Sequence, residues 1–118
     1  MKRRDEGGAA AVEMALVLPV LFLIVFGVIE FGFVFNRWIT ITHSARDGVR
    51  VLSLGETPAD AELAAEAAAP DLASSVTCTA SQPATDQVQM MCVTTYDFSL
   101  YVIDTPIELE STALMRKE

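Results

Sequence analysis

The chain has 118 residues, 52% of them hydrophobic, and carries 8 basic against 16 acidic side chains for a net charge of −8. That length supplies one small domain rather than two independent cores, and the acidic balance excludes a nucleic-acid partner, because phosphate binding needs a concentrated basic surface. One histidine and two cysteines leave no room for a four-ligand zinc cluster or an iron–sulfur site, so no metal and no cofactor is expected, and no nucleophile–base pair argues for an enzyme.

Charge is unevenly spread. Residues 1–50 hold six basic side chains (Lys2, Arg3, Arg4, Arg37, Arg46, Arg50) and five acidic ones, whereas residues 51–118 hold only Arg116 and Lys117 against eleven acids. From Ala9 to Phe35 the chain is apolar, interrupted only by Glu13 and Glu30. A helix over that segment is about 40 Å long, enough to cross a hydrocarbon core of about 30 Å. A cleaved secretion signal is the rival, but its apolar stretch runs about 7–15 residues and ends in small side chains. Here Met14–Ile29 is longer and leads into bulky Glu30-Phe-Gly-Phe-Val-Phe35. Arg37 and Trp38 then have the composition of an interfacial anchor. The expectation is a membrane helix over residues 9–36. Lys2, Arg3 and Arg4 favour a cytoplasmic N-terminus, which leaves residues 37–118 as an extracytoplasmic domain. In a bacterial cell that compartment is oxidising and suits a disulfide.

Glu13 and Glu30 lie about 25 Å apart along a helix, near opposite headgroup levels, where a carboxylate costs least. For Glu30 flanking the span is sufficient explanation. Glu13 sits in a more specific setting: a basic tail, Gly7-Gly8, then Ala9-Ala-Ala-Val-Glu13, then the apolar run. This resembles the processing site of type IV prepilins, in which a membrane peptidase cuts after the glycine and the fifth residue of the new chain is a glutamate. Mapped here, the cut falls between Gly8 and Ala9, residues 1–8 are the leader, and Glu13 is that acid. Gly8 lets an extended backbone enter a narrow cleft, and Glu13 can neutralise the new ammonium of a neighbouring subunit. Many type IV pilins begin with Phe, where this chain would begin with Ala9.

Four blocks in order, Gly8–Pro19, Phe26-Gly-Val-Ile-Glu-Phe-Gly32, Ser44-Ala-Arg-Asp-Gly-Val-Arg50 and Ser111-Thr-Ala-Leu-Met-Arg116, resemble the TadE-like family, pseudopilins of the tight-adherence (Flp/Tad) pilus system. The family's third block reads roughly Ala-Arg-Glu-Gly-Ala-Arg, so Asp47 and Val49 are mild departures. The resemblance implies processing by a prepilin peptidase and a minor role in pilus assembly. It also implies as partners other pilin-like subunits (TadF-like, TadG-like, the Flp pilin), the inner-membrane assembly platform and membrane lipid. It places the chain in the bacterial inner membrane as a single-pass protein that can enter the pilus.

Beyond Trp38, Ile41, Ala45, Val49 and Leu52 recur at steps of three and four, so the helix continues past the membrane. Arg46 and Arg50 lie one turn apart on another face, either as a solvated or headgroup-facing surface or as a cationic patch for an acidic subunit. Gly55 closes the helix. Thr57-Pro58-Ala-Asp60 reads as an N-cap and first turn, opening an Ala-rich helix to Ala69 that Pro70 stops. From Val76 the period becomes two: strands around Cys78 and Cys92 flank a turn over Gln82–Asp86. Pairing about that turn brings Cys78 opposite Cys92, and their bond would close a loop of about 15 residues worth about 3 kcal/mol. Ile107–Met115 gives a last strand, and Tyr96, Phe98, Leu100 and Tyr101 are expected to supply aromatic packing. His43 reads as an ordinary surface residue. The fold class is therefore α+β: a long N-terminal membrane helix, a short helix and an antiparallel sheet. Two functional readings remain, a processed pilin-like subunit and an unprocessed single-pass anchor for an extracytoplasmic binding module.

Overall fold

The computed structural model describes residues 3–72, 75–100 and 103–118, with side chains described for 7–72, 75–97 and 105–118. The basic tail and the packing expected of Phe98, Leu100 and Tyr101 fall outside the described side chains. Six elements follow one another: α1 (Arg3–Ser53), α2 (Pro58–Ala67), a 3-10 turn (Pro70–Leu72), β1 (Val76–Ala84), β2 (Gln87–Leu100) and β3 (Ile103–Arg116). The chain forms two compact units, Met1–Gly32 and Phe33–Glu118.

The first unit is helix throughout its described residues, with Pro19 inside it. Proline has no N–H to donate, so the Ala15 carbonyl loses its usual partner, a break that spanning helices tolerate. Every residue from Gly7 to Phe26 is exposed, and α1 carries an 18-residue window of mean hydropathy 2.7, none of it buried. An apolar surface of that extent calls for lipid or other subunits around it.

The second unit begins with the remainder of α1, whose periodic residues Ile41, Ala45, Val49 and Leu52 are all buried. The helix stops where the spacing predicts, with Gly55 at φ +92°, a left-handed conformation that glycine adopts without penalty. Thr57 caps α2: its Oγ1 accepts from the Asp60 N–H at 3.2 Å and donates to Asp60 Oδ2 at 2.6 Å.

The sheet is antiparallel in the order β1-β2-β3. Its first turn is tighter than the sequence suggested, with only Thr85 and Asp86 between the strands. The β1 strand runs through Pro83 by a register shift between Ser81 and Ala84, which is possible because an edge strand need not donate from every residue. The last strand is also longer than Ile107–Met115, reaching from Ile103 to Arg116. It too is an edge, so Pro106 can sit within it.

The core is small and built largely from small side chains. Ile41, Val49, Ala61, Ala65, Leu72, Val76, Val88 and Met90 are among its members. The α1–α2 contact is set at Gly48: a β-carbon there would lie 2.6 Å from Ala65 Cβ, 2.9 Å from Met90 Cε and 3.1 Å from the Ala61 carbonyl oxygen. The methionine tip can move, but the alanine and the backbone oxygen cannot without parting the helices. Opposite, α2 meets the sheet edge with its carboxylates. Glu62 Oε1 accepts from the Ala80 N–H at 2.9 Å, and Glu66 Oε1 from the Cys78 N–H at 3.4 Å, so the outer side of β1 is covered rather than left to pair with another strand. Buried Ser44 and Ser53 donate to the Thr40 and Arg50 carbonyls within α1, at 3.1 and 2.7 Å.

Gly48→Ala is expected to destabilise the head by about 1–3 kcal/mol through overpacking, although alanine is the better helix former by about 1 kcal/mol. The denaturation midpoint of the purified chain reads this directly, and a midpoint that stays or rises would show that α2 can shift freely.

Candidate functional site

The candidate processing residues lie on α1 in the first unit. Gly8, Ala9 and Glu13 are all exposed and helical, so the bond between Gly8 and Ala9, where the sequence suggested a cut, sits within the helix. Gly7 and Gly8 are each worse helix formers than alanine by about 1 kcal/mol, which makes this the easiest place to unwind into a cleft. Glu13 shares a face with Ala10, Met14 and Val17, which together line a shallow hollow of about 230 Å³. Among the described residues Glu13 has no ion-pair or hydrogen-bond partner. It is a carboxylate on an otherwise apolar surface.

In the second unit the two cysteines come together as expected. Cys78 and Cys92 face each other in the β1–β2 register and are bonded, with Cα atoms 4.1 Å apart. Both are buried. The bond therefore pins the edge strand β1 to the central strand beneath α2. Arg46 and Arg50 are exposed on α1, and neither has an ion-pair partner among the described residues. His43 is exposed as well.

Three features had not been read from the sequence. Gly48 was seen only as part of a block, though its place between buried Ala45 and Val49 marks it as core-facing. Glu62 and Glu66 stand four apart, the spacing of one helix face, but nothing local says that this face meets a strand edge. Arg37, taken for an interfacial residue, also reaches the sheet: its guanidinium donates to the Thr95 carbonyl at 3.1 Å and lies 4.9 Å from the centre of the Tyr96 ring.

Residues 8–50 match the family model described as TadE-like protein. That segment is similar to the TadE-like family. No curated protein and no solved structure gives a significant match. The TadE-like segment begins at Gly8 and ends at Arg50, so it takes in the glycine, the acid, the apolar helix and the block that seats α2. Within that block Ala45, Gly48 and Val49 are buried while Arg46, Asp47 and Arg50 are exposed. The TadE-like family is tied to the Tad pilus, and the long apolar helix is consistent with single-pass anchoring.

Reducing the Cys78–Cys92 bond, or replacing both cysteines by serine, is expected to cost about 3 kcal/mol from loop entropy alone. Denaturation with and without reductant measures it; coincident curves would mean that the core holds β1 unaided.

Proposed function

We propose that this TadE-like chain is a minor pilin-like subunit (a pseudopilin) that works in the assembly of a Tad/Flp-type adhesive pilus after trimming by a prepilin peptidase between Gly8 and Ala9. The observation that carries the reading is the match that begins at Gly8 and contains a lone acid at the fifth place of the trimmed chain. The chain sits in the bacterial inner membrane with its N-terminus in the cytoplasm and residues 37–118 outside. Residues 1–8 are the leader and 9–36 cross the bilayer.

The chemistry follows from the cost of charge in hydrocarbon. An unpaired carboxylate there costs a few kcal/mol, and removing one partner of a buried ion pair is more costly still. Before trimming, Ala9 offers only an amide. Afterwards it offers an ammonium, and Glu13 of a neighbouring subunit can meet it in one register of a helical bundle. Cutting thereby makes association favourable. Other Tad pilin-like subunits (TadF-like, TadG-like, the Flp pilin) and the inner-membrane assembly platform are the partners of that step. The exposed Arg46 and Arg50 suit an acidic neighbour.

Mass spectrometry of the native N-terminus tests this, with co-purified subunits identified in the same sample. Trimmed chains should begin at Ala9. Gly8→Val should insert normally yet keep the longer form, and Glu13→Ala should insert but lose about ten-fold or more in co-purified subunits, the penalty of one unmet charge. An intact leader in cells with an active prepilin peptidase and normal pili would favour a plain anchored binding module instead.

A further inference from the structure

We infer that the outer edge of β3 is a docking site for an extended basic segment of another protein, which joins the sheet there as a further strand. The surface belongs to the head alone and is the same in a trimmed and an untrimmed chain.

The direction of each backbone group in the sheet follows from one hydrogen bond. In an antiparallel ladder, residues that bond across to the partner strand alternate with residues whose N–H and C=O point the other way. The Lys117 N–H donates to the Asp86 carbonyl at 2.8 Å, in step with the register that sets Arg116 against Gln87. Odd-numbered residues of β3 therefore bond to β2. Glu108, Glu110, Thr112, Leu114 and Arg116 turn their backbone groups outward. Two observations agree with this assignment. Pro106, which has no N–H to offer, falls at an outward position. The Glu118 N–H, next in the outward series beyond Arg116, leaves the sheet for the Ser53 carbonyl at 3.1 Å.

The same alternation on β1 turns the N–H groups of Cys78 and Ala80 outward, and those are the donors that Glu66 and Glu62 satisfy. One edge of the sheet is thus capped by α2. The other is not: among the described residues, no group outside the sheet bonds to the backbone of Glu108, Glu110, Thr112 or Leu114. The open stretch from Glu108 to Arg116 lies between the proline and the Ser53 bond and is about 27 Å long. An open edge of that length is a template for strand addition.

The side chains flanking the edge indicate the occupant. Glu108, Glu110, Thr112 and Leu114 are exposed on one sheet face, while Leu109, Ser111 and Ala113 are half-buried on the other. Neither glutamate has an ion-pair partner among the described residues, and Glu110 accepts only a 3.5 Å hydrogen bond from Thr112. Opposite charges across a ladder stabilise it and like charges oppose it, so the added strand carries lysine or arginine on this face. On the other face a hollow of about 310 Å³, walled by Thr42, Arg46, Val49 and the β3 residues Ser111–Met115, takes apolar side chains. A second copy of β3 fits less well. It would bring two more unpaired glutamates, and the one basic residue of that strand, Arg116, already bridges to Asp86 at 3.2 Å. The net charge of −8 opposes self-pairing in the same sense.

Amide exchange and peptide binding test the inference on the full chain in detergent micelles. In the chain alone, the amides of Glu108, Glu110, Thr112 and Leu114 should exchange about a hundred-fold faster than those of Leu109, Ser111 and Ala113. The probe is a labelled peptide of about ten residues that alternates lysine or threonine with valine; its counterpart carries glutamate for lysine. The lysine peptide should bind, slow the outward amides about ten-fold or more, and bind about ten-fold more tightly than the glutamate peptide. Glu108→Lys combined with Glu110→Lys should reverse that preference. Thr112→Pro, which removes an outward N–H and none that bonds to β2, should abolish binding with the Cys78–Cys92 bond intact by mass. Absent binding, equal affinity of the two peptides, or binding that leaves the outward amides unprotected overturns the inference. So does slow exchange at those amides in the chain alone, which would mean that a second copy already covers the edge. Should Thr112→Pro fail to form the disulfide, the charge-reversed chain decides by the same readings.

Discussion

The head is assembled around one missing side chain. Gly48 lets α2 approach α1 until Ala65 and the Ala61 carbonyl come within reach of where a β-carbon would stand. Everything else in the head depends on that closeness. With α2 seated so low, Glu62 and Glu66 meet the backbone of β1, and the Cys78–Cys92 bond ties that strand to β2, which carries Met90 and Val88. A core of so few large side chains gains little from buried area. Short helix-to-helix distance, edge hydrogen bonds and a covalent staple do for this unit what volume does for larger domains.

The apolar helix obeys a different constraint. Its residues from Gly7 to Phe26 are all exposed, so its surface must be matched by lipid or by other helices. On such a surface one carboxylate, Glu13, dominates the energetics, because it has no partner among the described residues. Under the proposed trimming between Gly8 and Ala9, the new ammonium is that partner, and the cut becomes a preference for one packing register.

How much of this was legible in the sequence depends on the range of the signal. Period carried the helix from Ile41 to Leu52, and Gly55, Thr57 and Pro58 marked its end and the next beginning, because caps and turns are local chemistry. The Cys78–Cys92 pairing was legible because a short turn and a period of two fix register. The turn itself was misjudged. Gln82 and Pro83 look like turn residues, yet an edge strand tolerates both, and edge position is a property of the sheet rather than of the segment. The same blindness hid Pro106 inside β3. The Glu62 and Glu66 contacts, the reach of Arg37 to Thr95 and the role of Gly48 were hidden for one shared reason: each joins elements far apart in sequence, and no local pattern names the partner. Of the candidate site, the order glycine, small residues, acid, apolar run and the helix from Ala9 could be read directly; the extension of that helix back through Gly8 to Arg3 could not.

The TadE-like match ends at Arg50, within the helix on which α2 is seated. From the chain beyond Arg50 the docking surface asks for little: small side chains opposite Gly48, acceptors for the outer N–H groups of β1, and a strand pair stiff enough to stand. Here the alanine-rich α2 with its glutamates four apart meets the first two demands, and the Cys78–Cys92 disulfide meets the third. The exposed strand residues are bound by none of these requirements. Within the head, Gly48 thus fixes where α2 sits, and the sheet is the part left open to choose what the head touches.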